Sequence, residues 1–166
     1  MVNNSELRHL RRCVELAAEA LAAGDEPFGS VLVAADGRVL AEDHNRVASG
    51  DGTRHPEFEL ARWSAAHLTP RERAAATVYT SGEHCPMCAA AHGWVGLGRI
   101  VYVVSSEQLV SWLADLSVPA PPVRALSINE IVPGVIVEGP VPELSAQVRE
   151  LHIRFHRSKD ATDTER

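Results

Sequence analysis

The sequence lacks long hydrophobic runs, and this absence bears on where the protein resides. No apolar stretch approaches the ~20 residues that a transmembrane helix requires. The polar start from Met1 to Glu6 lacks the cationic and apolar regions of a signal peptide. We therefore expect a cytoplasmic protein that makes no contact with a membrane.

The sequence also lacks an even number of cysteines and an excess of positive charge. Three cysteines cannot form a closed set of disulfides, so we do not expect disulfides to hold the fold. The 16 Lys and Arg residues against 22 Asp and Glu residues give a net charge of −6. Because phosphate neutralisation supplies most of the affinity for nucleic acids, this balance disfavours a nucleic-acid partner. A small-molecule substrate is favoured instead.

The overall amino-acid composition is typical of a globular domain. The chain has 166 residues, of which 45% are hydrophobic and 23% are charged, values typical of a domain with its own core. We expect a single domain over residues 1–157, followed by a disordered polar tail at 158–166.

Helical and strand patterns alternate along the chain. The run at 100–104 is apolar without alternation, as in a parallel strand that is buried on both faces. Three prolines within 118–122 predict an extended linker. The alternation predicts an α/β sandwich built on one central sheet. The predicted helices cover 7–21, 55–67, 85–94, 108–116 and 142–155, and the predicted strands cover 29–34, 39–41, 77–80, 100–104 and 135–137.

Residues suited to metal and acid–base chemistry fall at the beginnings of two predicted helices. His55 and Glu57 begin one helix, and Cys85 and Cys88 begin the next. Cysteines three residues apart on a helix share a face, so both sulfurs can bind one ion. One histidine and two cysteines give zinc three protein ligands and keep the fourth tetrahedral position for water, as in catalytic sites. The spacing therefore predicts a catalytic zinc centre held by His55, Cys85 and Cys88.

Glu57 is the predicted catalytic residue. It follows the metal-binding histidine closely enough to contact a zinc-bound water without being a ligand itself. Zinc lowers the pKa of such a water towards ~7. A carboxylate beside that water can accept a proton from it and return the proton to the substrate.

Together these motifs resemble those of the cytidine deaminase-like superfamily. A His-x-Glu followed by Cys-x-x-Cys is the signature of zinc deaminases that act on nucleobases, although His84 replaces the usual proline before the first cysteine. The run from Ser81 to Cys88 is similar to the Glu-Pro-Cys-Pro-Met-Cys segment of guanine deaminases and bacterial tRNA adenosine deaminases. The run from Pro27 to Val33 is similar to a strand of the same superfamily.

This resemblance implies a three-layer α/β/α sandwich with a central mixed sheet, a zinc cofactor and an oligomer, which we expect to be a homodimer. It also implies a hydrolase that acts on C–N bonds of cyclic amidines and releases ammonia. The guanine deaminase or nucleobase deaminase branch is favoured, with guanine, cytosine or an aminotriazine as the type of substrate. The alternative is a tRNA adenosine deaminase, which the acidic balance disfavours.

The resemblance further suggests residues for substrate contact. Asn45 lies where superfamily members carry an Asn that hydrogen-bonds the base, and Phe28 lies in the matching strand. Trp94 is a candidate for stacking on a base, with packing as its alternative role. Phe155 and His156 end the last predicted helix, where relatives place pocket-lining residues.

Several alternatives remain open at this point. Cys85 and Cys88 have the spacing of a redox dithiol, but that interpretation gives His55 and Glu57 no role. A purely structural zinc site would need a fourth protein ligand. The candidates for that ligand are His84 and His92, and the candidates for an additional acid are Glu83, Asp115 and Glu143. We interpret Glu83 as a capping carboxylate near the cysteine helix.

Overall fold

The computed structural model describes residues 2–164, with side chains described as far as residue 159. Its helices are α1 (Asn4–Ala22), α2 (Pro56–His67), α3 (Pro70–Ala75), α4 (Pro86–Val95), α5 (Ser106–Asp115), α6 (Ile128–Ile131) and α7 (Pro142–Thr164). Its strands are β1 (Gly29–Val33), β2 (Val39–His44), β3 (Thr77–Gly82), β4 (Arg99–Val104) and β5 (Val137–Glu138). Within the described range, none of the helices has the length and apolar character needed to cross a bilayer.

The strands form one mixed sheet in the order β2-β1-β3-β4-β5. β1 is antiparallel to both of its neighbours, whereas β3, β4 and β5 are parallel. The apolar run at 100–104 lies in β4 between two parallel neighbours, as its lack of alternation predicted. The prediction of an α/β/α sandwich around a mixed sheet is confirmed.

Two helical layers cover the sheet. α1 and α7 contact each other and one face, where Val31 and Val101 lie in the larger core cluster. α2 and α4 contact each other and the opposite face, where Leu32 packs with Leu60 and Val78. The adjacent residues Val31 and Leu32 serve different layers because successive side chains of a strand point to opposite faces.

The packing of α2 against α4 brings the beginnings of these two helices together. His55 is the N-cap residue of α2 and Cys85 is that of α4, and each is followed by a proline at the first helical position. Proline suits that position because the helix requires no N–H there. Neither His55 nor Cys85 uses its side chain to cap its own helix. Both side chains therefore remain available for another partner.

The end of the chain differs from expectation. α7 continues to Thr164 instead of ending near Phe155, so residues 158–164 of the expected disordered tail are helical. Residues 165–166 of that tail lie outside the described part of the chain.

Candidate active site

The three predicted metal ligands converge on one point. His55 Nδ1 lies 3.6 Å from Cys85 Sγ and 3.6 Å from Cys88 Sγ, and the two sulfurs are 3.5 Å apart. Typical zinc bonds of about 2.3 Å to sulfur and about 2.0 Å to nitrogen place tetrahedral ligands about 3.5–3.8 Å from one another. The donor atoms are therefore spaced as one tetrahedral zinc ion requires, and the residues fit the cofactor.

No fourth side-chain donor joins this group among the described residues. His84 is buried, and its ring packs edge-on against His92 at a centroid distance of 5.4 Å. Neither of these histidines belongs to the group of donors, so the structural-zinc alternative lacks its fourth protein ligand. Three protein donors are the number that a catalytic zinc site uses.

Without a metal, the donors stabilise charge on one another. The contact with Cys88, together with the one to His55, lowers the pKa of Cys85 to about 4. The contact between Cys85 and His55 raises the pKa of His55. The contact between Cys85 and Cys88 raises the pKa of the Cys88 thiol, and so does burial. A thiolate on Cys85 is thus favoured, and the thiolate is the form that binds metals.

Glu57 lies in the first turn of α2, two residues after His55. Its side chain is buried, and this burial raises the pKa of its carboxyl group. The Ser30 hydroxyl donates to Glu57 Oε1 at 2.8 Å, and the Thr80 hydroxyl donates to the same oxygen at 2.7 Å. These bonds fix the carboxylate through one oxygen and use none of the hydrogen-bonding capacity of Oε2. Sequence reasoning missed Ser30 and Thr80, because no short motif marks them.

Glu83 connects the cysteine turn to the region beyond β4. Its carboxylate accepts a hydrogen bond of 2.8 Å from the Ser106 N–H and one of 3.1 Å from the Ile128 N–H. It therefore caps α5 and α6, in agreement with the expectation of a capping carboxylate near the cysteine helix. Asp115 and Glu143 do not line the cavity at the metal ligands, whereas Glu26, which sequence reasoning also missed, does.

A cavity of about 590 Å³ opens above the donor atoms. His55, Glu57 and Cys85 lie in its lining, together with Phe28. Its outer part is formed by α5 and the segment Val118–Val123, which contains the three prolines of the predicted linker. We call these two elements the apolar wall.

The structure brings some of the predicted substrate contacts to this cavity and not others. Phe28 lines it, and Asn45 donates its backbone N–H to the Phe28 carbonyl at 3.0 Å. The Asn45 side chain is buried, and its oxygen has no hydrogen-bond partner among the described residues. Asn45, Trp94, Phe155 and His156 all lie outside the lining, and Trp94 is 90% exposed.

α7 contributes no described residue to the cavity lining, but His152 of this helix contacts Phe28, which lines the cavity. His152 is buried and packs edge-on against the Phe28 ring at a centroid distance of 4.9 Å. Burial, with a smaller effect of His156, lowers the pKa of His152 to about 3. The imidazole behind Phe28 is therefore neutral at physiological pH.

Three cysteine and histidine donors beside a buried carboxylate, on an α/β/α scaffold, define a catalytic metal centre. A family profile described as the cytidine and deoxycytidylate deaminase zinc-binding region matches residues 3–104. The chain belongs to this family of zinc-binding deaminases. The expected zinc cofactor and the expected class of enzyme, a hydrolase acting on C–N bonds, are thereby confirmed.

Relatives within the family act on different substrates. The chain is 32% identical over 121 residues to a probable cytosine deaminase of Schizosaccharomyces pombe, covering 73% of each chain. It is 39% identical over 95 residues to a guanine deaminase of Bacillus subtilis, covering 56% of this chain and 60% of that protein. It also resembles a solved structure of a tRNA:A34 deaminase, with a TM-score of 0.62 and 25% identity over 87% of this chain and 99% of that one.

Proposed function

We propose that this protein is a zinc-dependent deaminase of a small heteroaromatic base of the guanine, cytosine or aminotriazine type. The observation that carries the proposal is that Glu57, a buried carboxylate, lines the same cavity as His55 and Cys85. Water adds to the ring carbon that bears the amine, the C–N bond breaks, and a ring carbonyl and ammonia are formed.

The residues of the site have separate roles in this reaction. Zinc, when bound by His55, Cys85 and Cys88, supplies a Lewis acid that makes water a nucleophile at neutral pH. Glu57 accepts the first proton from water and delivers it to the neighbouring ring nitrogen. The second proton passes through Glu57 from the added hydroxyl group to the amine, which leaves as ammonia. Oε2 is the oxygen that carries these protons, because Ser30 and Thr80 occupy Oε1.

A small base is preferred to tRNA on the basis of charge and lining. A folded RNA requires basic side chains around the mouth of the site. Besides His55, the cavity lining among the described residues contains one basic side chain, Arg124, against Glu26, Glu57 and Glu83. The net charge of −6 supports the same preference.

Asn45 and Phe28 are retained as substrate contacts in this proposal. The Asn45 side-chain oxygen has no hydrogen-bond partner among the described residues, so it is able to accept a hydrogen bond from a substrate N–H, and the Asn45 backbone bonds to Phe28, which lines the cavity. We expect Asn45→Ala to raise KM more than it lowers kcat. The homodimer and the cytoplasmic location stay predictions.

An ammonia-release screen tests the proposal. The candidates are guanine, cytosine, isocytosine, adenine, aminotriazines and the matching nucleosides, with a tRNA anticodon stem-loop as the competing substrate. Turnover confined to the stem-loop would overturn the choice of a small base. Zinc-loaded protein that releases ammonia from none of these compounds would overturn the proposed reaction.

Two variants separate metal binding from proton transfer. Glu57→Gln is expected to retain about one zinc per chain and to lose turnover by about 10²–10⁴-fold, the range typical of a lost acid–base catalyst. Cys85→Ala is expected to lose both zinc and turnover. Full activity of zinc-loaded Glu57→Gln protein would remove Glu57 from the mechanism.

A further inference from the structure

The cavity above the metal ligands has two chemically different parts. Its inner part carries ionisable side chains, among them His55, Glu57 and Glu26. Its outer part is the apolar wall, which contributes Leu109 and Leu113 of α5. A substrate held with its amine at the inner end therefore extends from a polar region into an apolar one.

Two side chains of the apolar wall are unusually exposed. Val110 is 45% exposed and Val123 is 52% exposed, and both line the cavity. Clustered apolar surface of this kind marks a site where a ligand or partner binds. The remaining large apolar side chains that are exposed in the described chain lie outside the cavity lining: Val39, Trp94 and Ile136.

The apolar wall is held in place by Glu83, which itself lines the cavity. Glu83, two residues before Cys85 in the sequence, accepts backbone hydrogen bonds from the first residues of α5 and α6. These bonds fasten the polypeptide on both sides of the proline-rich segment. Its prolines restrict the backbone further. A surface that is ordered before binding loses little entropy when a ligand covers it.

The size of the cavity exceeds the needs of a bare ring. Its volume of about 590 Å³ falls within the range of sites that enclose drug-sized ligands. A nucleobase placed against His55 and Glu57 would leave the apolar wall in contact with water. A ribose at that position would place hydroxyl groups against Val110 and Val123, whose side chains offer no hydrogen bond.

We propose that the substrate carries an apolar substituent, such as an alkyl or aryl group, on the ring atom remote from the amine. Val110 and Val123 bind this substituent and thereby determine specificity. The inference rests on the proposed deaminase function and specifies its substrate class as N-substituted amino-heterocycles. The occupant is part of the substrate because the apolar wall lines the same cavity as Glu57 and two of the metal ligands, His55 and Cys85.

Matched probes test this inference. They are cytosine, 1-benzylcytosine and cytidine, and guanine, 9-benzylguanine and guanosine, each assayed for kcat/KM and for the thermal stabilisation of the zinc-loaded protein. We expect the benzyl compound of the preferred ring to exceed the unsubstituted base by about tenfold in kcat/KM, since burial of an aryl group is favourable by at least that factor. We expect the nucleoside to fall below the benzyl compound.

Variants of the apolar wall supply the second measurement. Val110→Ser and Val123→Ser are expected to lower the ratio of kcat/KM for the benzyl compound to that for the unsubstituted base. Val39→Ser is the matched control, because Val39 is the same residue type with the same exposed fraction of 45% and lies outside the cavity lining. It should leave the ratio unchanged.

The outcomes separate this inference from the proposed function. Turnover of the unsubstituted base with no gain from the benzyl group, or with a preference for the nucleoside, overturns the inference alone. Stronger thermal stabilisation by the benzyl compound without ammonia release supports the apolar subsite and overturns the proposed reaction. A change of oligomeric state in Val110→Ser, measured by light scattering, with an unchanged ratio assigns the surface to a second copy of the chain and overturns the inference.

Discussion

Ser30 and Thr80 are directly paired across β1 and β3, and their hydroxyl oxygens lie 2.9 Å apart. Both hydroxyls donate to the same oxygen of Glu57. The pair therefore holds the carboxylate in a buried position where a free carboxylate would be unfavourable. Because each hydroxyl comes from a central strand of the sheet, the orientation of Glu57 depends on the register of the strands as well as on α2.

Loss of one hydroxyl is expected to impair catalysis without removing the metal. Hydrogen bonds to a charged group contribute about 1.5–3 kcal/mol, so Thr80→Val should lower kcat by about tenfold or more while zinc content stays unchanged. Thr80→Ser keeps the donor and should retain most of the activity. An unchanged kcat in Thr80→Val would show that Thr80 does not position Glu57.

Glu83 is expected to contribute to stability through the helices it caps. Glu83→Gln retains one acceptor oxygen but loses the charge. We therefore expect the free energy of unfolding, measured by urea denaturation, to fall by about 1–3 kcal/mol. Glu107→Gln is the control, because Glu107 is an exposed residue in the first turn of α5 and such surface changes are usually within about 0.5 kcal/mol. Equal stability of the two variants would contradict the role of Glu83 as a cap for two helices.

Removal of zinc is expected to abolish turnover and to activate one cysteine. The low pKa of Cys85, about 4, keeps it as a thiolate in the metal-free protein, so iodoacetamide should modify Cys85 once a chelator has removed the metal. Cys13 is an internal control, because it is fully buried and burial raises its pKa. Mass spectrometry of the alkylated peptides measures both, and equal modification with and without zinc would argue against Cys85 as a ligand.

We expect the folded protein to become less stable as the pH is lowered, and His152 is one cause. Its pKa is lowered to about 3 in the folded protein, whereas an unfolded histidine titrates near about 6.5. Below about pH 6.5 the unfolded chain therefore binds a proton that the folded chain does not. This difference removes up to about 1.4 kcal/mol of stability per pH unit. The loss begins near the unfolded pKa and ends only near the folded one.

A substitution isolates this contribution between pH 7 and pH 5. His152→Leu should reduce the slope of unfolding free energy against pH, whatever its effect on stability at pH 7. His67→Leu is the matched control at an exposed position of α2, and the slope of His152→Leu is compared with the slope of this variant. The same slope in His152→Leu and the unaltered protein would show that His152 does not resist protonation.

Much of the metal centre was predictable from local spacing. Cys85 and Cys88 share a helical face because of the helix repeat, and His55 precedes Glu57 by an interval that allows one to bind metal and the other to accept a proton. The alternation of apolar runs was likewise sufficient for the sandwich and for the buried parallel strand β4. The short helices α3 and α6 were missed, because their six and four residues are too few to show an apolar repeat, although each begins with a capping box.

By itself, the sequence determined the chemistry of this protein, since the metal donors and Glu57 lie in two short motifs whose geometry is set by neighbouring residues. Only the tertiary structure decided what surrounds that chemistry. Strand register paired Ser30 with Thr80, and packing left Trp94 in solvent. The link from Glu83 to α5 and α6 joins residues 23 and 45 positions apart in the chain. Contacts between distant segments depend on how whole layers pack, and no local periodicity encodes them.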